Sequence, residues 1–185
     1  MTEDVLAEAK QKMTATVRHT QSEFGKIRTG RANPTLVADL PVSYYGTKTP
    51  LQQIAGISVP EPRMLAINPY DQSALREIER AIQAADLGLN PSNDGKLIRV
   101  VFPELTEERR KEFVKIARER AEEGRIAIRN ARRQAKADLA DLADDSAITE
   151  DDQHRGEQQL QKLTDKYIGE IDELLANKEQ ELLEV

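Results

Sequence analysis

The sequence predicts an α+β fold: an elongated antiparallel three-helix bundle with an inserted small β/α/β sandwich domain and a two-stranded hinge. Three stretches have the apolar periodicity of long helices, near residues 2–28, 106–143 and 150–184. Each has only a narrow apolar seam, which a single helix cannot bury by itself. The segment between the first two has the two-residue period of strands. The predicted bundle therefore comprises 1–29 and 106–185, and the inserted domain comprises 30–105 with both hinge segments.

Composition favours helices over one large compact core. Charged residues make up 32% of the 185 residues and aromatic residues only 4%. There is no cysteine, which excludes disulfides and thiolate chemistry. His19 and His154 lack the spacing of metal ligands, and we expect both on helix surfaces. The first ten residues lack the layout of a signal peptide and no apolar run approaches the roughly 20 residues of a membrane span, so we expect a cytoplasmic protein.

The first helix is predicted to begin at Thr2, which can act as an N-cap before two acidic residues. Its apolar positions follow at spacings of three or four: Leu6, Ala9, Met13, Val17, Thr20, Phe24 and Ile27. We expect it to continue to about Arg28, with Gly30 as its terminator and Pro34 preventing continuation.

The residue pattern of the inserted segment predicts three strands, a helix and a fourth strand, in that order. Leu40, Val42 and Tyr44 lie on one face of the first strand, and Pro41 indicates an edge. The remaining predicted features are a turn at 46–50, strands at 54–59 and 64–67, a helix capped by Asp71, a turn-rich segment at 90–95 and a strand at 96–102. We expect the helix to cover the sheet.

The longest helix is predicted at 105–142, a stretch without proline and with one glycine. Its apolar seam consists of Phe113, Ala117, Ala121, Gly124, Ile128, Ala131, Ala135, Leu139 and Leu142. Beside this seam runs a stripe of five cations, here called the basic ridge: Arg118, Arg125, Arg129, Arg132 and Lys136. Thr149 and the acidic residues after it begin the last helix in the manner of a capping box.

The basic ridge lies in a segment whose charge is opposite to that of the rest of the chain. Residues 109–136 contain eleven Lys or Arg and four Glu, a net charge of +7. Because the whole chain carries −6, all other residues together carry −13. Two interpretations stay open here. One is a solvated helix face, the usual origin of a charge run; the other is a surface for a phosphate backbone, which the dominance of arginine favours.

Two chain crossings must join the inserted domain to the bundle side by side. Gly30, Pro34 and Pro103 give these crossings the character of a hinge, and a rigid elbow is the alternative. The predicted hinge residues are Thr29, Gly30, Arg31, Ala32 and Asn33 in the first crossing and Pro103, Glu104, Leu105 and Thr106 in the second.

No catalytic constellation can be picked out of the sequence. It has no phosphate-cradling glycine motif, metal cluster or nucleophile elbow, so we predict that the chain is not an enzyme and has no cofactor. Tyr44 and Tyr45 could stack on bases or could be ordinary sheet residues. Because no aromatic residues are interleaved with the basic ridge, recognition of folded RNA by shape and backbone is favoured over base stacking.

Several segments together resemble the ribosome recycling factor family over essentially the whole length of the chain. They correspond to the family's first hinge segment, central-domain hairpin, segment after the central helix, start of the long helix, basic ridge and last helix. The segments are KIRTGRANP at 26–34, YYG at 44–46 with TPL at 49–51, DLGLNP at 86–91, LTEERRK at 105–111, RIAIRNARR at 125–133 and KLTD at 162–165. Gly124 departs from an expected alanine, Gln134 from an expected acidic residue, and 69–71 from forms with Trp or Phe.

The resemblance implies a fold with an outline like transfer RNA and a task after translation terminates. Such a factor binds the post-termination ribosome and, with elongation factor G and GTP, separates the subunits and releases messenger RNA and deacylated transfer RNA. The bundle would lie on ribosomal RNA of the large subunit, with Arg129 and Arg132 as primary phosphate contacts. Arg125, Arg133 and Arg28 would be secondary contacts, although Arg28 could instead only hold the hinge. The small domain and the hinge would contact elongation factor G, and the chain would act as a monomer without a membrane.

Three other functions remain as alternatives. A structural or chaperone-like bundle with a merely solvated ridge predicts no salt-sensitive binding to ribosomes. A generic binder of double-stranded RNA predicts equal binding to free duplexes and ribosomes. An unrecognised hydrolase predicts turnover of a substrate by the protein alone.

Overall fold

The computed structural model describes residues 1–184, and these residues form two compact units. The first unit contains Met1–Phe24 and Glu112–Glu184, and the second contains Gly25–Lys111. The described helices are α1 Thr2–Gly25, α2 Thr35–Ala38, α3 Leu51–Ile54, α4 Leu75–Ala84, α5 Glu107–Asp144 and α6 Glu150–Leu183. The described strands are β1 Pro41–Tyr44, β2 Thr47–Pro50, β3 Ala55–Glu61, β4 Met64–Pro69, β5 Asn90–Asn93 and β6 Ile98–Val101. The α+β class predicted from the sequence is confirmed.

The first unit consists of α1, α6 and all but the first turn of α5. Each helix buries part of an apolar seam, and on α5 the two end positions of the predicted seam, Phe113 and Leu142, are only half-buried. On α5 the buried residues are Ala117, Ala121, Gly124, Ile128, Ala131, Ala135 and Leu139. On α6 the buried residues are Gly156, Leu160, Thr164, Tyr167, Ile171 and Leu182. An apolar pattern does not reveal two of them, Gly156 and Thr164. Thr164 is accommodated because its hydroxyl donates to the Leu160 carbonyl at 2.8 Å, which satisfies the buried polar group.

Gly124 lies where α5 faces both α1 and α6. A Cβ atom built on it would be 2.6 Å from Thr20 Oγ1 of α1 and 2.8 Å from Ile171 Cδ1 of α6. Both distances are shorter than a carbon can occupy without displacing its neighbours. The glycine therefore permits a helix spacing that alanine would prevent.

The first helix is shorter than predicted. It ends at Gly25 and not near Arg28, so Gly30 is not its terminator. In a continued helix the Gly25 carbonyl would accept from the backbone of Thr29. It accepts instead from the side-chain amide of Asn33, at 2.9 Å, and this bond ends the helical pattern.

The second unit contains two antiparallel sheets, β1–β2 and β3–β4–β6–β5. The predicted turn at 46–50 is wrong, because only Tyr45 and Gly46 form the turn while 47–50 form β2. Both turn residues have positive φ, +47° and +78°, as two-residue hairpins with the favoured twist require.

The turn-rich segment at 90–95 is also corrected, since its first four residues pair with β6 as β5. The turn lies after Asn93, at residues 94–97. The Asp94 carboxylate accepts the backbone N–H groups of Lys96 and Leu97, each at 2.9 Å, and so reverses the chain.

The core of the second unit lies among the sheets and α4, which packs against β1 and β5. Its fully buried side chains include Val42, Leu51, Leu65, Ile67 and Ile78. Two short helices, α2 and α3, had no counterpart in the predicted elements, and they bury Val37, Leu51 and Ile54. Within the described residues no helix is both long and apolar enough to cross a bilayer.

Candidate nucleic-acid interface

The basic ridge lies on α5 beside α6, and carboxylates neutralise part of it. Arg125 is the most buried of its cations for which an ion pair is found, with a side chain 20% exposed. Its Nε donates to Asp172 of α6 at 2.8 Å and its Nη1 to Glu122 at 3.0 Å. Burial acts to lower the pKa of Arg125, but the hydrogen bonds to Asp172 and Glu122 outweigh it and raise that pKa.

Glu122 is shared between two arginines of the predicted site. One carboxylate oxygen accepts from Arg129 and the other from Arg125, both at 3.0 Å. Hydrogen bonds from Arg129 and Arg125 lower the pKa of Glu122, so it is ionised at neutral pH. Arg125 and Arg129 therefore each have an internal anion that an RNA phosphate would have to replace.

Arg132 and Arg133 differ from the arginines before them. Arg132 donates to the amide oxygen of Gln161 at 3.0 Å, and this neutral partner leaves its charge uncompensated. Gln161 is oriented for this contact because its Nε2 donates to Asp165 at 2.8 Å. Arg133 is exposed, and among the described residues it has no hydrogen-bond or ion-pair partner for its side chain. This adjacent pair is the least neutralised part of the predicted contact surface.

A groove of about 410 Å³ between α5 and α6 lies against this pair. Its lining residues are Arg132, Arg133, Lys136, His154, Glu157, Gln158, Leu160 and Gln161. The one carboxylate, Glu157, lies 3.4 Å from the Lys136 ammonium, so two of the three cations remain available. His154 and Gln158 are within hydrogen-bond distance of each other, 3.1 Å, on the α6 side. A groove with excess positive charge and amide groups suits a phosphate group.

Arg28 belongs to the second unit, whereas the other four predicted contacts belong to the first. Among the described residues, no hydrogen bond or ion pair joins Arg28 to any of those four. Its side chain is half-buried, and its Nη1 atom lies 3.3 Å from the position that a Cβ on Gly88 would take. Gly88 has a φ of +64°, a conformation that favours glycine. The guanidinium thus packs on a backbone that has no side chain.

The predicted hinge segments are both bonded to one turn of the second unit. Ala32 N of the first segment donates to the Pro62 carbonyl at 2.8 Å. The backbone N–H of Phe102, the residue directly before the second segment, donates to the next carbonyl, that of Arg63, at 2.7 Å. The Arg63 guanidinium also pairs with Glu104. Thr106 caps the start of α5 by accepting from Arg109 N at 3.2 Å. The two segments therefore lie next to each other at this turn.

The chain matches the family model described as "Ribosome recycling factor" over residues 20–183. It belongs to the ribosome recycling factor family. It is 55% identical to the ribosome-recycling factor of Thermobifida fusca and 52% identical to that of Halothermothrix orenii, with 100% of both chains covered in each case.

Two solved structures of the family have the same fold. A solution structure of the ribosome recycling factor matches with a TM-score of 0.82 and 43% identity, covering 100% of this chain and 98% of the other. The Thermus thermophilus factor, placed with Escherichia coli elongation factor G on the E. coli post-termination complex, matches with a TM-score of 0.70 and 45% identity, with both chains fully covered. The resemblance inferred from the sequence motifs is confirmed.

The residues of α6 that line the groove were not predicted from the sequence. His154, Gln158 and Gln161 lie three or four residues apart, which places them on one face of a helix. That spacing could have been noticed. The sequence does not say that this face lies against Arg132, because the two are far apart along the chain.

Proposed function

We propose that this chain binds the post-termination ribosome through RNA of the large subunit and, with elongation factor G and GTP, splits it into subunits. Messenger RNA and deacylated transfer RNA leave in the same process. Membership of the ribosome recycling factor family supports the task. A solved relative placed with elongation factor G on a post-termination complex supports the partners. GTP hydrolysis is assigned to elongation factor G.

The observation that carries the RNA contact is the uncompensated pair Arg132 and Arg133 beside the groove. Guanidinium groups bind phosphates in a bidentate manner and release counterions from the RNA. Arg129 and Arg125 join the contact when phosphates replace Glu122 and Asp172 as their partners. Arg28 is kept as a secondary contact of lower rank, because its packing on Gly88 is already a sufficient role.

The second unit is proposed to contact elongation factor G while the bundle holds the RNA. In this scheme the residues 29–33 and 103–106 act as the hinge, and the inserted domain is 30–105. Ala32 is hydrogen-bonded to Pro62 and Glu104 is paired with Arg63, so both segments are held at one turn, which supports a joint movement.

The test is ribosome splitting followed by light scattering, with wild type, Arg132→Glu and Lys115→Glu. Lys115 is an exposed cation of the same helix, and among the described residues no ion pair or side-chain hydrogen bond involves it, so its reversal is a matched control. We expect a scattering decrease that requires the chain, elongation factor G and GTP together. It should be lost in Arg132→Glu and kept in Lys115→Glu.

Thermal unfolding separates loss of binding from loss of structure. Arg132→Glu changes a surface side chain and is expected to stay within about 0.5 kcal/mol of the wild-type free energy of unfolding. Splitting by Arg132→Glu at wild-type rates would contradict the RNA contact. Equal binding to free RNA duplexes and to large subunits would instead favour a generic RNA-binding protein.

A further inference from the structure

Two of the four tyrosines of the chain contact one carboxylate of the second unit. Tyr44 and Tyr45 both donate their hydroxyl groups to Asp71 Oδ2, at 3.2 and 2.9 Å. We call Tyr44, Tyr45 and Asp71 the tyrosine patch.

The tyrosine patch is exposed in a chain that has few aromatic residues. Tyr45 is 79% exposed, the highest fraction among the large hydrophobic residues described. Tyr44, by contrast, packs partly against the core of the unit. An exposed tyrosine next to a packed one is typical of protein interfaces, where tyrosine is strongly enriched.

The side chains of the patch are fixed before any partner arrives. The rings of Tyr44 and Tyr45 meet edge to face, with centroids 4.6 Å apart. The Tyr45 backbone is held in the hairpin turn, and Asp71 is held by accepting Ser73 N at 2.9 Å. A fixed aromatic surface loses little conformational entropy on binding, which favours affinity.

The charge of the patch selects the chemistry of its partner. Hydrogen bonds from Ser73, then from Tyr45 and Tyr44, lower the pKa of Asp71 to about 2, so its carboxylate is ionised at neutral pH. A negative charge at the centre of the patch repels a phosphate backbone. It attracts a guanidinium group, which can stack on a tyrosine ring and pair with a carboxylate at the same time.

We propose that the tyrosine patch is the face through which the second unit binds elongation factor G, by a basic loop of that partner whose arginine lies against Tyr45 and Asp71. This inference rests on the proposed function, and it selects one face of the unit and one chemistry for the contact. The exposed aromatic rings supply contact area, and the carboxylate supplies orientation.

The first test measures the concentration of elongation factor G that gives half-maximal splitting, with Tyr45→Ala and Val101→Ala. Val101 is a 53% exposed residue of the same unit outside the patch and serves as the matched control. We expect Tyr45→Ala to raise this concentration about tenfold, a typical effect for an interface tyrosine. Val101→Ala should leave it unchanged, and neither substitution should change large-subunit binding without elongation factor G.

A second variant tests the charge. Asp71→Asn keeps the shape of the side chain and removes its charge, so it should raise the half-maximal concentration and make it less dependent on salt. An unchanged half-maximal concentration for both Tyr45→Ala and Asp71→Asn would overturn the proposal. So would an equal loss of large-subunit binding without elongation factor G, because the patch would then contact RNA. Failure of the proposed function is recognised separately, since the wild type would then give no splitting at any concentration.

Discussion

At Gly124 the side chains of two neighbouring helices occupy the space that a Cβ atom would need. Glycine in the middle of a helix costs up to about 1 kcal/mol relative to alanine. From the sequence, Gly124 is therefore a seam position that weakens the helix propensity of α5. The structure indicates that glycine is favourable here, because Thr20 and Ile171 pack into the space that a side chain at this position would occupy.

We predict that Gly124→Ala destabilises the protein by about 1 kcal/mol, although alanine is the better helix former. Inserting a methyl group into a well-packed interface typically costs about 1–3 kcal/mol of stability, which exceeds the gain in helix propensity. Urea unfolding measures the difference. Gly169→Ala is the control, since no atom lies within 4 Å of a Cβ built there and the same substitution should stabilise α6.

The double variant Thr20→Ala with Gly124→Ala tests the cause. Removing the Thr20 hydroxyl removes the shortest contact, so the two substitutions together should cost less than the sum of the single ones. A Gly124→Ala variant as stable as Gly169→Ala would show that the helices can separate without loss.

The helix that carries the predicted RNA contact was predictable from sequence, but the hydrogen-bond and ion-pair partners of its arginines were not. The period of α5 predicted one long helix that contains Arg125, Arg129, Arg132 and Arg133, and the structure has all four on α5. Which of them keep their charge depends on Asp172 and Gln161 of α6, which lie across the interface between the helices. Spacing along one helix contains no information about the partners that another helix supplies.

At the scale of the element, long periodic helices were predictable and short segments were not. The seam of α5 and the capping box of Thr149 and Asp152 agree with the structure, because both depend on local spacing. The strand β5 has turn-forming residues throughout, and it forms because its neighbour β6 supplies hydrogen bonds. Tertiary pairing overrides local propensity in such a strand.

We predict that Glu122→Gln strengthens binding to large subunits and makes it more sensitive to salt. The substitution removes the anion shared by Arg125 and Arg129, so both can neutralise phosphates more fully. Each additional phosphate contact adds roughly 0.7–0.9 to the slope of log affinity against log salt. Binding measured over a series of salt concentrations gives both quantities.

The pH dependence of the stability of Glu122→Gln provides a second check. The pKa of Glu122 is lowered in the folded state, so its ionised form contributes stability above the ordinary pKa of a glutamate. That contribution disappears as the pH falls through the lowered value. Glu122→Gln should therefore be less stable than wild type near neutral pH and equally stable in acid. Weaker RNA binding by Glu122→Gln at neutral pH would contradict the role of Glu122 as a competing anion.

At the scale of the whole molecule, the two units have separate cores. Ile67 is fully buried in the second unit, and Ile128 is fully buried in the first. Since each core is built from its own elements, each unit can unfold with its own free energy.

We predict that Ile67→Ala and Ile128→Ala each destabilise only the unit that contains them, by about 2–5 kcal/mol. Hydrogen exchange followed by mass spectrometry assigns the loss of protection to individual segments. Ile67→Val is the graded control and should give the same pattern at about 0.5–1.5 kcal/mol. A loss of protection shared equally by both units would show that they unfold as one.

The turn at Pro62 and Arg63 determines which part of a protein in this family can accept insertions, deletions or exchange. Because Ala32 and Phe102 are bonded to adjacent carbonyls of that turn, the chain enters and leaves the inserted segment at one corner. Insertions, deletions or exchange of everything between those two points leave the register of α1, α5 and α6 intact. The part proposed to contact a protein can therefore diversify with that protein, while the part proposed to hold the RNA keeps its helix register.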